Sequence, residues 1–208
     1  MIKKFLIIIF ISFSSAQFIN SQSRISLSIG GGYLVDLIDN KKMNYWENGY
    51  SINLALEYAV MNNLSLFFNS SFQNHFFKAS LFKSSLDGWG GYRYSADGED
   101  RNLYEISIGG RFYKKYSFIS PYLSLGAGIL AVSEGKLFVT TWFVGGEDNK
   151  RTITSISEDF LLGQITVGLG SEINLTDNMK LVIEGKLFRT LSEGPSYVPI
   201  ITSIKLGL

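Results

Sequence analysis

The feature that most constrains this chain is a period of two. From Arg24 onward, apolar residues alternate with small or polar ones over segments of about ten residues, the pattern of half-buried strands. Helical periodicity is hard to find. Beyond the amino-terminal segment the longest wholly apolar run is Leu125 to Val132, far short of the ~20 residues a membrane-spanning helix needs. If this chain enters a membrane, it enters as strands.

Eight segments carry the pattern. Arg24 to Val35 sets Ile25, Leu27, Ile29, Tyr33 and Val35 against Ser26, Ser28, Gly30 and Gly32. Tyr50 to Val60 sets Tyr50, Ile52, Leu54, Leu56 and Tyr58 against Ser51, Asn53, Ala55 and Glu57. In Leu64 to Asn74, Leu64, Leu66, Phe68 and Phe72 oppose Ser65, Asn69, Ser71 and Gln73, with Phe67 breaking the alternation. Leu103 to Tyr113 turns Tyr104, Ile106, Ile108 and Phe112 away from Glu105, Ser107, Gly109 and Arg111. Pro121 to Val132, Leu161 to Leu175, Met179 to Thr190 and Val198 to Leu208 repeat the scheme, although Val182 and Phe188 are apolar on the polar side. The links alternate as well. Residues 61–63, 114–120 and 176–178 are short turns, whereas 36–49, 75–102, 133–160 and the shorter 191–197 are long. In an up-and-down barrel this places every short turn at one end and every long loop at the other. Pro121 and Pro199 begin strands and Pro195 lies in a loop, so no proline interrupts a ladder.

At the amino terminus Lys3 and Lys4 precede the apolar run Phe5 to Phe13 and the small residues Ser14-Ser15-Ala16, the signature of a cleaved secretory leader. The expected organisation is a leader over 1–16, a short periplasmic segment over 17–23 and one barrel domain over 17–208. With no cysteine in the chain, lipid attachment through cysteine, disulfides and thiolate metal sites are excluded. The 19 basic and 18 acidic residues are dispersed, so nothing tracks a nucleic-acid backbone. No cofactor is expected.

Alternation fits both a soluble barrel, apolar inside, and a membrane barrel, apolar outside. The polar face decides between them, because it is mostly Ser and Gly, which suit a narrow lumen better than a water-exposed wall. Tyr33, Tyr50, Phe72 and Tyr104 lie toward the long-loop end and Tyr58 and Phe112 toward the short-turn end, as two interfacial girdles would. With the leader and the loop asymmetry, the chain resembles the small eight-stranded outer-membrane β-barrel family typified by the OmpA and OmpX barrels. It departs from them in ending Lys205-Leu206-Gly207-Leu208 without a terminal aromatic residue. The resemblance implies an all-β, eight-stranded antiparallel transmembrane barrel in the bacterial outer membrane. It also implies contact with outer-membrane lipid and with the barrel-assembly machinery during biogenesis, and a monomer with a non-enzymatic role.

By parity the lumen receives Glu57, Glu105, Glu172 and Glu184 with Arg111, Lys186 and Lys205, an expected network of ion pairs. A proton or ion path is the functional alternative, although eight strands leave no wide channel. His75 is the only histidine; with Ser70 or Ser71 and a loop carboxylate it would suit a lipid hydrolase, against its plainer reading as a histidine at a loop base. Gly126-Ala127-Gly128 matches a dinucleotide fingerprint in form but lies in mid-strand. Asp97-Gly98-Glu99-Asp100 reads as a solvated acidic turn before a calcium site. The long loops offer Trp46, Trp89, Tyr92, Tyr94 and Trp142 for contact with an extracellular protein or carbohydrate. Strand-like runs over 136–145 and 151–157 point to a hairpin projecting beyond the membrane, with an edge open to a partner strand. Envelope structure with adhesion or ligand contact is thus the leading reading. A secreted soluble barrel binding a small apolar ligand is the second, and an outer-membrane lipid hydrolase the third.

Overall fold

The computed structural model of the protein describes residues 24–36, 46–80, 92–143, 151–154, 159–191 and 197–208. Its strands are β1 (Ile25–Asp36), β2 (Trp46–Met61), β3 (Leu64–Phe77), β4 (Tyr92–Gly98), β5 (Arg101–Tyr113), β6 (Ile119–Ser133), β7 (Leu137–Phe143), β8 (Arg151–Thr154), β9 (Asp159–Asn174), β10 (Met179–Thr190) and β11 (Tyr197–Gly207). Eight of them close into an antiparallel barrel in the order β1-β11-β10-β9-β6-β5-β3-β2. Each of the eight segments read from the alternation is one of these strands. The leader and Trp89 lie outside the described residues.

The strand period sorts the side chains between the two walls. Ile29 is 60% exposed, Leu54 47%, Ile108 64%, Leu125 45% and Leu169 69%, whereas Ser28, Asn53, Glu57, Ser107, Arg111 and Ser124 are buried in the lumen. A soluble barrel would need Leu54 and Leu125 inside and Glu57 and Arg111 in water, so that reading is overturned. Every barrel strand is paired on both sides, which satisfies the wall's backbone groups without water, as the hydrocarbon layer of a membrane requires. The barrel is a transmembrane one: an outer wall this apolar is a lipid-facing surface.

Three strands stand apart. β4, β7 and β8 form a second sheet in the order β4-β7-β8, at the end of the barrel where the long connections lie. They continue three adjacent barrel strands without a change of register. Gly98 pairs with Leu137 as Asn102 pairs with Ser133, with three residues intervening on each strand. Likewise Phe138 pairs with Thr154 as Ser133 pairs with Asp159, with four intervening on each. The expected hairpin is therefore β7 with β8, but it has a third member. Tyr92 to Gly98, expected to be loop, is strand β4 and covers the edge that β7 would otherwise leave open. Tyr92, Tyr94 and Ala96 alternate there with Arg93, Ser95 and Asp97, but over only seven residues inside a long, Gly-rich connection.

Candidate functional site

The half of the lumen toward the short turns is ionic. Arg111 on β5 meets Glu57 on β2 at 2.6 Å and Glu184 on β10 at 3.0 Å. Lys205 on β11 reaches Glu57 at 2.8 Å and Glu172 on β9 at 2.6 Å. Lys180 adds a 2.9 Å pair to Glu172, and Lys186 lies 3.6 Å from Glu184. The result is a continuous chain of charges that joins strands not adjacent in the barrel. Hydroxyls complete the carboxylates: Ser65 and Tyr113 donate to Glu57, and Ser124 donates to Glu184. The Arg111 guanidinium is held between the Phe67 ring at 5.3 Å and the Tyr122 ring at 5.0 Å. Phe67, the break in the alternation of β3, thus points inward. It fits because Gly109 and Gly126 lack side chains; a Cβ on either would lie 3.0 Å or less from the tip of the Phe67 ring.

Glu105 is in the lumen but outside this chain of charges. Among the described residues no cation lies within ion-pair distance of it. Its carboxylate accepts from Ser71 at 2.8 Å, Ser107 at 2.7 Å and Asn69 at 3.4 Å, and Asn53 donates to Asn69 at 2.6 Å. Near this polar layer, buried side-chain atoms of Ser51, Gln73, Gln164 and Tyr197 have no protein partner, the kind of group that internal water satisfies. Toward the long-loop end the lumen gains an apolar cluster beside the buried His75 and Arg101. Leu34, Leu103, Leu130, Val132, Phe188 and Tyr197 pack together at 0–1% exposure, with Phe160 and Leu162 against them. Phe188 stacks on Tyr197 with ring centroids 5.1 Å apart. Sequence parity marked Phe188 as an exception without finding the plug it belongs to.

His75 is near the long-loop end of β3, paired with Arg101 at the start of β5. It is 3% exposed and meets the Tyr197 ring edge-on at 5.4 Å. Ser71 spends its hydroxyl on Glu105, and Ser70 shares a face with the outward Phe72 and Phe68. Asp97, Glu99 and Asp100 serve the rim where the projecting sheet leaves the barrel. Asp97 accepts from the Gly98 amide, Asp100 from the Phe77 amide, and Glu99 from the Lys136 amide. Among the described residues no group of three or more His, Cys, Asp or Glu is placed to hold a metal.

On the outer wall, Tyr33 pairs in register with Tyr50, and Tyr50, Phe72 and Tyr104 follow at ring distances of 6.3 and 5.1 Å. Phe76 joins Tyr50 at 6.1 Å. Toward the opposite end Tyr58 and Phe112 are exposed, together with Tyr116 and Phe118 on the β5–β6 turn. That last pair was missed, though aromatics in a short turn bordering a strand were the available signal. Of the loop aromatics, Trp46 begins β2, Tyr92 and Tyr94 are in β4 and Trp142 is in β7, where it pairs with Arg93.

No protein-family model matches the chain. No curated protein matches it either. Solved structures do. Ail, the attachment invasion locus protein of Yersinia pestis, superposes with a TM-score of 0.50 at 18% identity, covering 89% of this chain and 98% of that one. The outer membrane protein OprG from Pseudomonas aeruginosa gives a TM-score of 0.54 at 11% identity, covering 91% and 99%. At that distance in sequence the likeness is one of fold, and the chain has the fold of the small eight-stranded outer-membrane β-barrels.

Proposed function

We propose that the protein is an integral outer-membrane barrel without enzymatic activity, exported by its 1–16 leader, that presents the β4-β7-β8 sheet outside the cell as a contact surface for protein or carbohydrate. One observation carries this reading: three barrel strands continue past the rim in register to build a second sheet, while the apolar plug fills the lumen beneath it. A structure that closes its interior and extends its wall is suited to contact and not to passage. The name of one neighbour, an attachment and invasion protein, points the same way. On this reading Trp46, Trp89, Tyr92, Tyr94 and Trp142 supply the contacts, and Glu57, Arg111, Glu172, Glu184, Lys186 and Lys205 hold the lumen shut.

The test has two stages. Expressing cells are fractionated, and the outer-membrane fraction is run on a gel with and without boiling; a heat-dependent mobility shift is expected, and release in a soluble fraction would overturn the membrane placement. Cells are then assayed on surfaces coated with matrix proteins or sulfated polysaccharides. Expected is binding that falls when Tyr92, Tyr94 and Trp142 are replaced together by Ser with the heat shift retained. Binding equal to that of cells lacking the protein on every surface would end the contact reading.

A further inference from the structure

The outer wall carries a groove of about 750 Å³ across β2, β3, β5 and β6, walled by Leu56, Tyr58, Leu66, Phe68, Ile108 and Leu125. It comes from the register. Tyr58, Leu66, Gly110 and Leu125 form one row across four strands, and Leu56, Phe68, Ile108 and Ala127 form the next. The first row has no side chain at Gly110 and the second has only a methyl at Ala127. Packing does not demand the gap. A Cβ on Gly110 would meet nothing closer than 3.7 Å, whereas one on its neighbour Gly109 would run into the Leu125 carbonyl. Gly110, between the lining residues Leu66 and Leu125, thus has room for a larger side chain beside the groove, whereas Gly109 and Gly126 in its floor have none.

Four residues further along β5, about 13 Å of strand, the chain leaves the wall in the turn Lys114-Lys115-Tyr116-Ser117-Phe118, which is exposed throughout. Lys114 Nζ lies over the Tyr116 ring at 5.5 Å. The turn carries two cations and no acid, with Tyr116 and Phe118 placed as interfacial aromatics. An apolar slot one acyl-chain segment above a pair of lysines matches a single chemistry.

We propose that this groove and the Lys114-Lys115 turn form a binding site for one anionic glycerophospholipid of the periplasmic leaflet, its acyl chain in the slot beside Gly110 and Ala127 and its phosphate on the lysines. The site rests on the transmembrane reading with short turns facing the periplasm. Two lysines near an anionic headgroup give a preference on the order of tenfold or more over a zwitterionic one.

The full-length protein, folded in a zwitterionic detergent, is titrated with phosphatidylglycerol or phosphatidylcholine, and retained lipid is counted by native mass spectrometry. Each sample is also checked for the heat-dependent gel shift. Expected is one phosphatidylglycerol retained at about a tenth or less of the phosphatidylcholine concentration needed, a preference lost in Lys114→Gln/Lys115→Gln. Gly110→Leu, or Ala127→Phe should the first not fold, lowers retention of both lipids. Equal retention of the two lipids by the wild type, or a preference unchanged in the lysine variant, would show annular lipid only and overturn the site. A wild-type chain without a heat shift would instead overturn the transmembrane reading, and the site with it.

Discussion

At the scale of single residues, the lumen separates two kinds of buried carboxylate. Glu57 is held by Arg111 and Lys205, so Arg111→Leu leaves Glu57 short of one partner and Glu184 dependent on the more distant Lys186. The expected loss is about 3–5 kcal/mol, measured by urea unfolding in lipid vesicles. Among the described residues Glu105 accepts only from neutral donors. Replacing it by Gln removes a charge that makes no ion pair with a described cation, so Glu105→Gln is expected to change stability by about 1 kcal/mol or less, in either direction. A loss as large as that of Arg111→Leu would mean that a cation reaches Glu105 in solution. Parity alone placed both acids in the lumen; it could not separate them, because partners such as Lys205 and Glu57 are brought together by closure of the barrel and not by spacing along the chain.

At the scale of elements, alternation made the barrel strands legible because lipid imposes one sign on the outer wall for the whole length of each strand. The same rule failed where that condition lapses. Leu34, Leu103 and Phe188 are apolar yet lumenal, since an interior can be filled by any side chains that pack. β4 went unread because its alternation spans only seven residues within a long connection. The join between barrel and projecting sheet is tight at Gly135, where a Cβ would run into the carbonyl of Glu99 and lie 2.6 Å from that of Asp100. Gly135→Val is therefore expected to loosen the β4-β7-β8 sheet and leave the barrel intact. Limited proteolysis should cut the variant faster within residues 92–154 while its heat shift is unchanged; protection equal to the wild type would show that the rim has slack.

For the whole molecule, the order of layers along the lumen matters more than any one of them: ion pairs, a polar belt around Glu105, then the apolar plug with His75 and Arg101 buried beside it. Charges near one mouth would admit water, but a plug buried to 0–1% exposure closes the other. Planar-bilayer recording of the purified protein is expected to show no steady conductance. Phe188→Ala together with Tyr197→Ala, which empties the stacked pair, is expected to introduce flickering current; steady conductance in the wild type would contradict the closed lumen. The register matched on either side of the rim has a mechanical consequence. A pull on the projecting sheet runs lengthwise down β4 and β7 into β5 and β6, so it loads the hydrogen-bond ladders in shear, with many bonds sharing the force at once, instead of peeling them apart one by one.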